Sequence, residues 1–242
     1  MNQIAIITST PHFIKSYIEN SILKKANERK AVSFHIIDLR EFGLGNYQKI
    51  DDKPYGGGKG MILMSQPLFS SIDYAINLMG KSNDIKIIYP NPSGREWDQK
   101  SAKKVSCFSK SIIICGHYKG IDQRVVDKYV THEYSLGDFV MTSGEIPAMV
   151  MIDSSVRLMS GALNSPESAK TDSFSYGLLD HPHYTYPREI DGLNVPDILL
   201  TGHHDNILKW RLKKRKSLTE KKRIDLWKVY KNKLKKSELN YE

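Results

Sequence analysis

The stretch I-I-I-C-G-H-Y-K-G-I-D-Q-R-V-V, which starts at Ile112, decides the fold. Its opening run at 112–114 is apolar and β-branched, which is typical of a strand buried in a sheet. The chain then enters a loop with glycines at 116 and 120, and a second glycine-containing loop covers 135–147. Glycine lets the backbone approach a ligand, and loops at the carboxyl ends of parallel strands bind small molecules. The stretch therefore predicts a cofactor site.

Further strand and helix patterns surround this stretch. Apolar or β-branched runs predict strands at 4–7, 32–39, 85–89, 112–115 and 131–134. Helical spacing predicts helices at 10–27, 65–79, 97–108, 121–129 and 145–159. Because strands alternate with helices along the chain, we predict an α/β fold with a parallel sheet.

The positive charge is concentrated at one end of the chain. The 242 residues carry a net charge of +9, and residues 209–242 hold 14 Lys and Arg against 4 Asp and Glu. The rest of the chain is close to neutral. So basic a segment is typical of a surface that binds phosphate or anionic lipid, although a solvated lysine-rich helix has the same composition. We favour nucleic acid as the partner.

Composition excludes several classes of protein. A hydrophobic content of 40% and a charged content of 26% indicate an ordinary folded protein, and no apolar run approaches the length of a membrane span. The first residues lack the basic region and the long apolar core of a signal peptide. Two cysteines, Cys107 and Cys115, favour neither a disulfide framework nor a cysteine metal site. We therefore expect a cytoplasmic location.

A glycine-rich segment, D-D-K-P-Y-G-G-G-K-G-M, starts at Asp51. A long loop of this kind is usually functional. It does not match the phosphate-binding P-loop, because no strand enters it and no Gly-Lys-Ser/Thr follows. A second near-match, the Gly-Lys-Ser at 80–82, comes after a helix rather than before one, and Ala75 stands where that motif needs glycine. We therefore exclude nucleoside triphosphate binding.

The composition changes after the first 160 residues. Residues 161–171 are mostly small or polar and include a proline, which is typical of a linker. The next stretch crowds aromatic and titratable side chains outside any periodic pattern, including His181 and His183. With no third ligand at typical spacing, we predict no metal site there. Two basic helices are predicted to end the chain, the second of them capped by Ser217 and Glu220.

Six motifs along the chain carry a family resemblance. They are D-D-K-P-Y-G-G-G-K-G-M at 51–61, Y-P-N-P-S-G-R at 89–95, C-G-H-Y-K-G-I-D-Q-R at 115–124, S-L-G-D-F-V-M-T-S-G-E-I-P-A at 135–148, T-D-S-F with G-L-L-D-H-P-H-Y-T within 171–185, and W-R at 210–211. A single loop is a weak signal, but six in family order over nearly the whole chain are specific. Together they resemble the bacterial tRNA (guanine-N1)-methyltransferase family, TrmD, of the SPOUT superfamily.

The resemblance implies a particular architecture and reaction. It implies a SPOUT methyltransferase domain at 1–160, whose parallel sheet ends in a C-terminal trefoil knot, then a linker at 161–172 and a small, mainly helical tRNA-binding domain at 173–242. It also implies a homodimer with the active site shared between subunits. The implied reaction transfers a methyl group from S-adenosylmethionine to N1 of guanine 37 in tRNA, next to the anticodon.

The resemblance also implies roles for individual residues. Asp172 matches the family's general base, which takes the N1 proton, and Arg157 matches its catalytic arginine, which stabilises charge at the guanine O6. The implied cofactor-binding residues lie in the three loops that follow strands: Tyr89, Pro92, Gly94, Gly116, Tyr118, Ser135, Leu136, Gly137, Asp138, Phe139, Val140, Met141, Gly144 and Pro147. The implied tRNA-binding residues are Asp52, Lys53, Tyr55, Gly60, Trp210, Arg211, Lys214 and Arg215.

Two positions depart from the family pattern. Lys119 stands where the family often has an acidic residue, which is linked to the methionine end of the cofactor or to a divalent ion. The lysine reverses the charge, so we assign it no role, and a Mg²⁺ requirement is in doubt. Ser143 replaces a glycine before Gly144, and serine fits many loop conformations.

Two other functions stay open at this point. A SPOUT methyltransferase that acts on a ribose 2′-hydroxyl would not need Asp172 as a base. A non-catalytic RNA-binding module would have no reason to keep affinity for S-adenosylmethionine. A basic DNA-binding protein is not favoured, because the sequence has no helix-turn-helix or zinc pattern.

Overall fold

The computed structural model describes residues 1–163 and 172–239. The chain forms two compact units, residues 1–166 and residues 167–242, called here unit 1 and unit 2. The predicted linker at 161–172 lies mostly outside the described residues, so its boundaries stay a prediction. Within the described ranges, no helix combines the length and the apolar character that a membrane crossing requires.

Unit 1 contains seven described strands, and five of them form its central sheet. The strands are β1 (Asn2–Thr8), β2 (Val32–Asp38), β3 (Asp51–Asp52), β4 (Ile62–Leu63), β5 (Lys86–Glu96), β6 (Lys110–Ile114) and β7 (His132–Ser135). The sheet has the order β2-β1-β6-β5-β7 and all of its pairings are parallel. Strands β3 and β4 form a separate antiparallel pair. The predicted α/β fold with a parallel sheet is confirmed.

Six helices of unit 1 cover both faces of this sheet. They are α1 (Pro11–Ile18), α2 (Ser21–Glu28), α3 (Ser65–Leu78), α4 (Gln99–Ser106), α5 (Gln123–Tyr129) and α6 (Glu145–Val156). In β1, Ile4 and Ile6 belong to one buried cluster, whereas Ala5 and Ile7 belong to the other. Successive side chains of a strand point to opposite faces, so a strand buried on both faces must be apolar throughout.

The prediction of one continuous helix at 10–27 is wrong. Residues 11–28 form two separate helices of eight residues each, α1 and α2. The break lies at Asn20 and Ser21, where Ser21 takes a φ of +51°. Such a left-handed backbone conformation cannot continue an α-helix. Both short helices still bury apolar side chains, Ile14 and Ile18 in α1 and Leu23 in α2, against the same face of the sheet.

The predicted end of the third strand at residue 89 is also wrong. Strand β5 continues to Glu96, and its pairing with β7 shifts register between Pro90 and Arg95, which both pair with Tyr134. Residues 91–94 therefore bulge out of a strand that resumes pairing afterwards, as bulged strands do. The turn-forming residues of this segment produce a bulge in β5, opposite the edge strand β7, rather than a free loop.

Unit 2 contains two long helices, α7 (His204–Lys222) and α8 (Ile224–Leu239), and a two-stranded hairpin, β8 (Glu189–Ile190) with β9 (Leu193–Asn194). The predicted helix cap at Ser217 and Glu220 is wrong, because both residues lie inside α7. The contacts of Thr219 explain why α7 continues through this position. Thr219 is fully buried, its hydroxyl donates to the Arg215 carbonyl at 2.7 Å, and it accepts from the Leu179 N–H at 2.8 Å.

We expect Thr219→Val to lower the free energy of unfolding of unit 2 by about 1–3 kcal/mol. Valine keeps the shape of threonine but leaves the buried Leu179 N–H without its acceptor. Urea unfolding followed by far-UV circular dichroism measures the change. Thr185→Val is the matched control, because Thr185 is exposed. Equal stability of both variants and the parent chain would show that this hydrogen bond contributes nothing.

Candidate active site

Three chain segments meet at the carboxyl ends of neighbouring strands. They are the β5 bulge at 91–94, the segment 115–120 after β6, and the segment 136–144 after β7. Because β6, β5 and β7 are adjacent and parallel, these segments leave the sheet at the same edge. Ligands of open α/β sheets bind at this edge. The structure therefore gathers the three segments that the sequence analysis assigned to one site.

The segments after β6 and β7 touch through their glycines. The Gly144 N–H donates to the Gly116 carbonyl at 2.7 Å, and His117 pairs with Ser143 as an isolated antiparallel bridge. A Cβ atom on Gly144 would lie 2.5 Å from the Gly116 nitrogen. Only glycine at 144 allows this approach, since the backbone of Gly116 cannot retreat from β6.

Tyr89 forms the floor between these segments. Its side chain is buried, and a Cβ atom on either Gly116 or Gly120 would lie 3.1 Å or less from the Tyr89 ring or hydroxyl. Burial, together with the nearby Glu133 carboxylate, raises the pKa of the Tyr89 phenol, so the hydroxyl stays protonated at neutral pH. In the bulge, Gly94 packs directly on the backbone of Tyr134, where a side chain would collide.

We expect Gly144→Ala to destabilise unit 1 by about 1–3 kcal/mol, because its new methyl group must push the two segments apart. The same displacement is expected to weaken binding of S-adenosylmethionine, which calorimetric titration measures. Thr142→Ala is the control, since Thr142 is exposed in the same segment. Unchanged stability and unchanged cofactor affinity in Gly144→Ala would contradict the tight fit described above.

The other predicted cofactor residues line these segments with different exposures. Tyr118, Phe139 and Val140 are exposed by 56%, 55% and 94%, so the rim of the site is apolar and aromatic. Ser135 and Pro147 are buried, and the Ser135 hydroxyl exchanges hydrogen bonds of 3.2 Å with the backbone of Gly137. The remaining positions are exposed (Pro92 and Asp138) or half-buried (Leu136 and Met141).

A buried polar trio beneath the site was not found by the sequence analysis. Glu145, only 2% exposed, accepts from the Thr8 hydroxyl at 2.6 Å. Both of its carboxylate oxygens lie 2.9 Å from Nε2 of His117. The trio ties the end of β1 to the segment after β6 and to the first turn of α6. A glutamate that opens an otherwise apolar helix is the sequence signal that points to it.

Glu145 stays ionised despite its burial. Burial alone would raise the pKa of its carboxyl, but hydrogen bonds from His117 and Thr8 outweigh this effect and hold the pKa at about 2. A buried carboxylate is tolerated only when it is paired and hydrogen-bonded. Glu145 therefore fixes the position of His117 rather than taking part in proton transfer at neutral pH.

The glycine-rich segment at 51–61 lies against this site. The Lys119 N–H donates to the Met61 carbonyl at 3.0 Å, and the Lys119 side chain passes 3.0 Å from the position of a Cβ atom on Gly60. Tyr55 is fully exposed, and Asp52 forms an ion pair with Lys49 at 2.9 Å. Of the residues implied to bind tRNA, Gly60 is thus next to the segment after β6.

The two residues implied to be catalytic belong to different units. Arg157 follows the last turn of α6 in unit 1, where its N–H donates to the Asp153 carbonyl at 3.3 Å. Asp172 opens the described part of unit 2, in a tight turn where its carbonyl accepts from the Ser175 N–H at 3.3 Å. Their catalytic roles stay predictions.

Helix α7 carries the other residues implied to bind tRNA. Arg211 and Lys214 are exposed, and the Lys214 ammonium lies 5.5 Å from the centre of the Trp210 ring. Arg215 is different, since its side chain is only 13% exposed and its Nε donates to the Leu179 carbonyl at 3.3 Å. Helix α7 thus offers a cationic, aromatic surface, with Arg215 turned inward.

Comparisons with known proteins match nearly the whole chain. A family model described as tRNA (Guanine-1)-methyltransferase TrmD matches residues 2–229. The chain is 42% identical over 223 residues to the tRNA (guanine-N(1)-)-methyltransferase of Clostridioides difficile (strain 630), which covers 92% of this chain and 96% of that protein. It is 45% identical over 230 residues to the one from Borrelia hermsii (strain HS1 / DAH), covering 94% of each.

The fold comparison agrees with these sequence matches. The crystal structure of tRNA (m1G37) methyltransferase from Aquifex aeolicus superposes with a TM-score of 0.72 at 36% identity, covering 97% of this chain and 92% of that one. These matches confirm the resemblance drawn from the six motifs, and the chain belongs to the TrmD family of tRNA (guanine-1)-methyltransferases.

Proposed function

We propose that this chain transfers a methyl group from S-adenosylmethionine to N1 of guanine 37 in tRNA. The observation that carries the proposal is the convergence of the β5 bulge and the segments after β6 and β7, held by the Gly116–Gly144 hydrogen bond at 2.7 Å. These segments hold the family motifs at 89–95, 115–124 and 135–148. Family membership supports the proposed reaction, and the convergence of these segments supports the proposed location for it.

The residues of the site fit S-adenosylmethionine. Glycines at 94 and 144 bring neighbouring backbones close together, and Gly116 packs on the Tyr89 ring. Such closely packed backbone suits an adenosine that is read by backbone hydrogen bonds. Leu136, Phe139 and Met141 provide apolar walls for a flat base. When bound, this cofactor supplies a methyl group on a positively charged sulfur. The side chain of Lys119 passes beside Gly60, and an ammonium group does not bind a metal cation, so we propose no metal-binding role for that position.

Asp172 and Arg157 are proposed to act on the guanine. The N1 atom of guanine carries a proton, so its lone pair becomes available only when a base removes that proton. We assign this step to the Asp172 carboxylate. As the proton leaves, negative charge develops toward O6 of the guanine, and the guanidinium of Arg157 stabilises this charge.

Unit 2 is proposed to hold the tRNA. Helix α7 presents exposed cations at Arg211, Lys213 and Lys214 beside the Trp210 ring. Lysine and arginine bind phosphates with a strong dependence on salt, and aromatic rings stack on unpaired bases of an RNA loop. The net charge of the segment 209–242 supports this assignment.

We further propose the trefoil knot and a homodimer, both on the basis of family membership. One feature of unit 1 supports the dimer. Helix α6 is largely buried, yet it exposes Ile146 by 46% and Val150 by 42%, one turn apart on the same side of the helix. Phe139 and Val140 add apolar surface in the segment that leads to this helix. A partner subunit would cover such a surface.

Methyl transfer to two tRNA transcripts tests the proposed function. One transcript carries G at position 37 and the other carries A, and nucleoside analysis follows incubation with labelled S-adenosylmethionine. N1-methylguanosine from the first transcript alone is the expected result. A ribose 2′-O-methyl product would favour the other SPOUT reaction. No transfer to either transcript, with and without Mg²⁺, would favour the non-catalytic RNA-binding module.

A further inference from the structure

Three potential metal ligands meet in unit 2, within the motif D-H-P-H at 180–183. One ligand atom from each of Asp180, His181 and His183 lies within 4.8 Å of the other two. The sequence analysis dismissed the two histidines because no third ligand stood at typical spacing. Asp180 directly precedes them, and the turn at 180–183 folds its carboxylate back onto both rings.

The hydrogen bonding of His181 prepares its ring to bind a cation. Its Nδ1 lies 3.1 Å from the Pro182 carbonyl, which can only accept, so Nδ1 carries the proton. In the neutral ring the lone pair is then on Nε2, which faces Oδ1 of Asp180 at 3.8 Å. Two acceptors that face each other repel unless a positive charge lies between them. Metal-binding histidines commonly fix their second nitrogen on a backbone carbonyl in this way.

His183 completes a chelating arrangement. Its Nε2 lies 3.0 Å from Oδ2 of Asp180, and its ring centre is 4.3 Å from that of His181. Two atoms that bind one metal ion at about 2.0–2.1 Å are separated by about 3 Å. His183 is 70% exposed, whereas the side chains of His181 and Asp180 are only 13% and 21% exposed. The cluster is therefore half-enclosed, with one ligand at its solvent side.

Both carboxylate oxygens of Asp180 have contacts within the turn. Oδ1 accepts from the His181 N–H at 2.7 Å, and Oδ2 lies 3.0 Å from Nε2 of His183. Arg215 is a permanent cation close to this carboxylate, with Nε 3.9 Å from Oδ1. That separation exceeds a hydrogen bond, and the same Nε donates to the Leu179 carbonyl. Arg215 therefore leaves the carboxylate oxygens able to bind a further cation.

We propose that Asp180, His181 and His183 bind a divalent first-row transition-metal cation, for which Zn²⁺ is the probe of choice. Two imidazole nitrogens and one carboxylate form a common ligand set for Zn²⁺ and its neighbours, whereas Mg²⁺ and Ca²⁺ prefer oxygen ligands alone. Three protein ligands leave at least one position for water or another oxygen donor. The bound cation would lock the turn at 180–183 beside α7.

Zinc titration of the full-length chain tests the proposal. The protein is freed of any polyhistidine tag, treated with chelator, and titrated with Zn²⁺ at pH 7.5 in a calorimeter. One Zn²⁺ is expected to bind per chain. The substitutions His181→Gln and His183→Gln are each expected to weaken the affinity for zinc by more than about tenfold. An excess of Mg²⁺ is expected not to compete. Because His183 is mostly exposed, its replacement leaves the fold intact.

A matched control and a spectroscopic signal complete the test. His203→Gln removes an exposed histidine elsewhere in unit 2 and is expected to leave zinc affinity unchanged. Replacing Zn²⁺ with Co²⁺ is expected to quench the fluorescence of Trp210, whose ring centre lies 6.3 Å from that of His181. Absence of zinc binding, or equal affinity in the parent chain and both ligand variants, would overturn the proposal. Neither result depends on methyl transfer.

Discussion

Asp172→Asn is expected to lower the rate of methyl transfer to the G37 transcript by about 10²–10⁴-fold, the usual contribution of a positioned base. Asparagine keeps the size and hydrogen-bonding shape of aspartate but cannot accept the N1 proton. The turn that holds the residue uses the Asp172 backbone carbonyl, which the substitution leaves in place. Single-turnover kinetics with saturating S-adenosylmethionine isolate the chemical step. Calorimetric titration is expected to show unchanged cofactor affinity.

The control for this experiment is Asp191→Asn, because Asp191 is an exposed aspartate of the same unit. It has a φ of +52°, which asparagine also tolerates, so the backbone is not strained by the change. Full activity in the Asp172 variant would remove the general-base role. Full activity together with a ribose-methylated product would support the 2′-O reaction instead.

Glu145→Gln is expected to destabilise unit 1 by about 3 kcal/mol at pH 7, which corresponds to the lowering of the Glu145 pKa from 4.5 to about 2. A carboxyl with a lowered pKa in the folded state stabilises the fold above its unfolded pKa. That stabilisation is lost as the pH falls through 4.5 toward 2. The difference in unfolding free energy between parent and variant is therefore expected to shrink over this window.

Urea unfolding between pH 3 and pH 8 measures this dependence. The chain has three tryptophans, so replacing Trp210 and Trp227 with phenylalanine leaves Trp97 of unit 1 as the fluorescent probe. Trp97 donates to the Ser154 hydroxyl of α6 at 3.0 Å and reports on the packing of that helix. Glu41→Gln, at an exposed glutamate of unit 1, controls for general charge effects. If the difference in unfolding free energy between parent and Glu145→Gln did not change with pH, the stabilising role of the ionised Glu145 carboxylate would be contradicted.

Much of unit 1 was predictable because its strands are buried on both faces. The short apolar, β-branched runs of β1 and β6 are typical of strands buried on both faces, so their sequences alone identify the sheet. The glycines at 116 and 144 were identified as site residues from their loops. Their contact with each other was not, because it joins segments that are distant in the sequence.

The failures of sequence reasoning share a physical cause. The break at Ser21, the bulge at 91–94 and the continuity of α7 through Ser217 all depend on tertiary contacts or on single backbone angles. The intrinsic helix or strand propensity of a short segment carries no information about such contacts. The Thr8–Glu145–His117 trio was missed for the same reason, since its three members come from segments that are distant in the sequence.

Strand β1 lies inside the sheet, with a partner on each side, and this affects how the chain can fold during synthesis. Strand β1 pairs on one side with β2, but its other partner, β6, begins only at Lys110. At about 5–20 residues per second, a ribosome needs roughly 5–20 s to make the intervening chain. Until then one edge of the first strand is open to wrong partners. The bond from Thr8 to Glu145 forms later still, so a nascent chain acquires its proposed cofactor site only near the completion of unit 1.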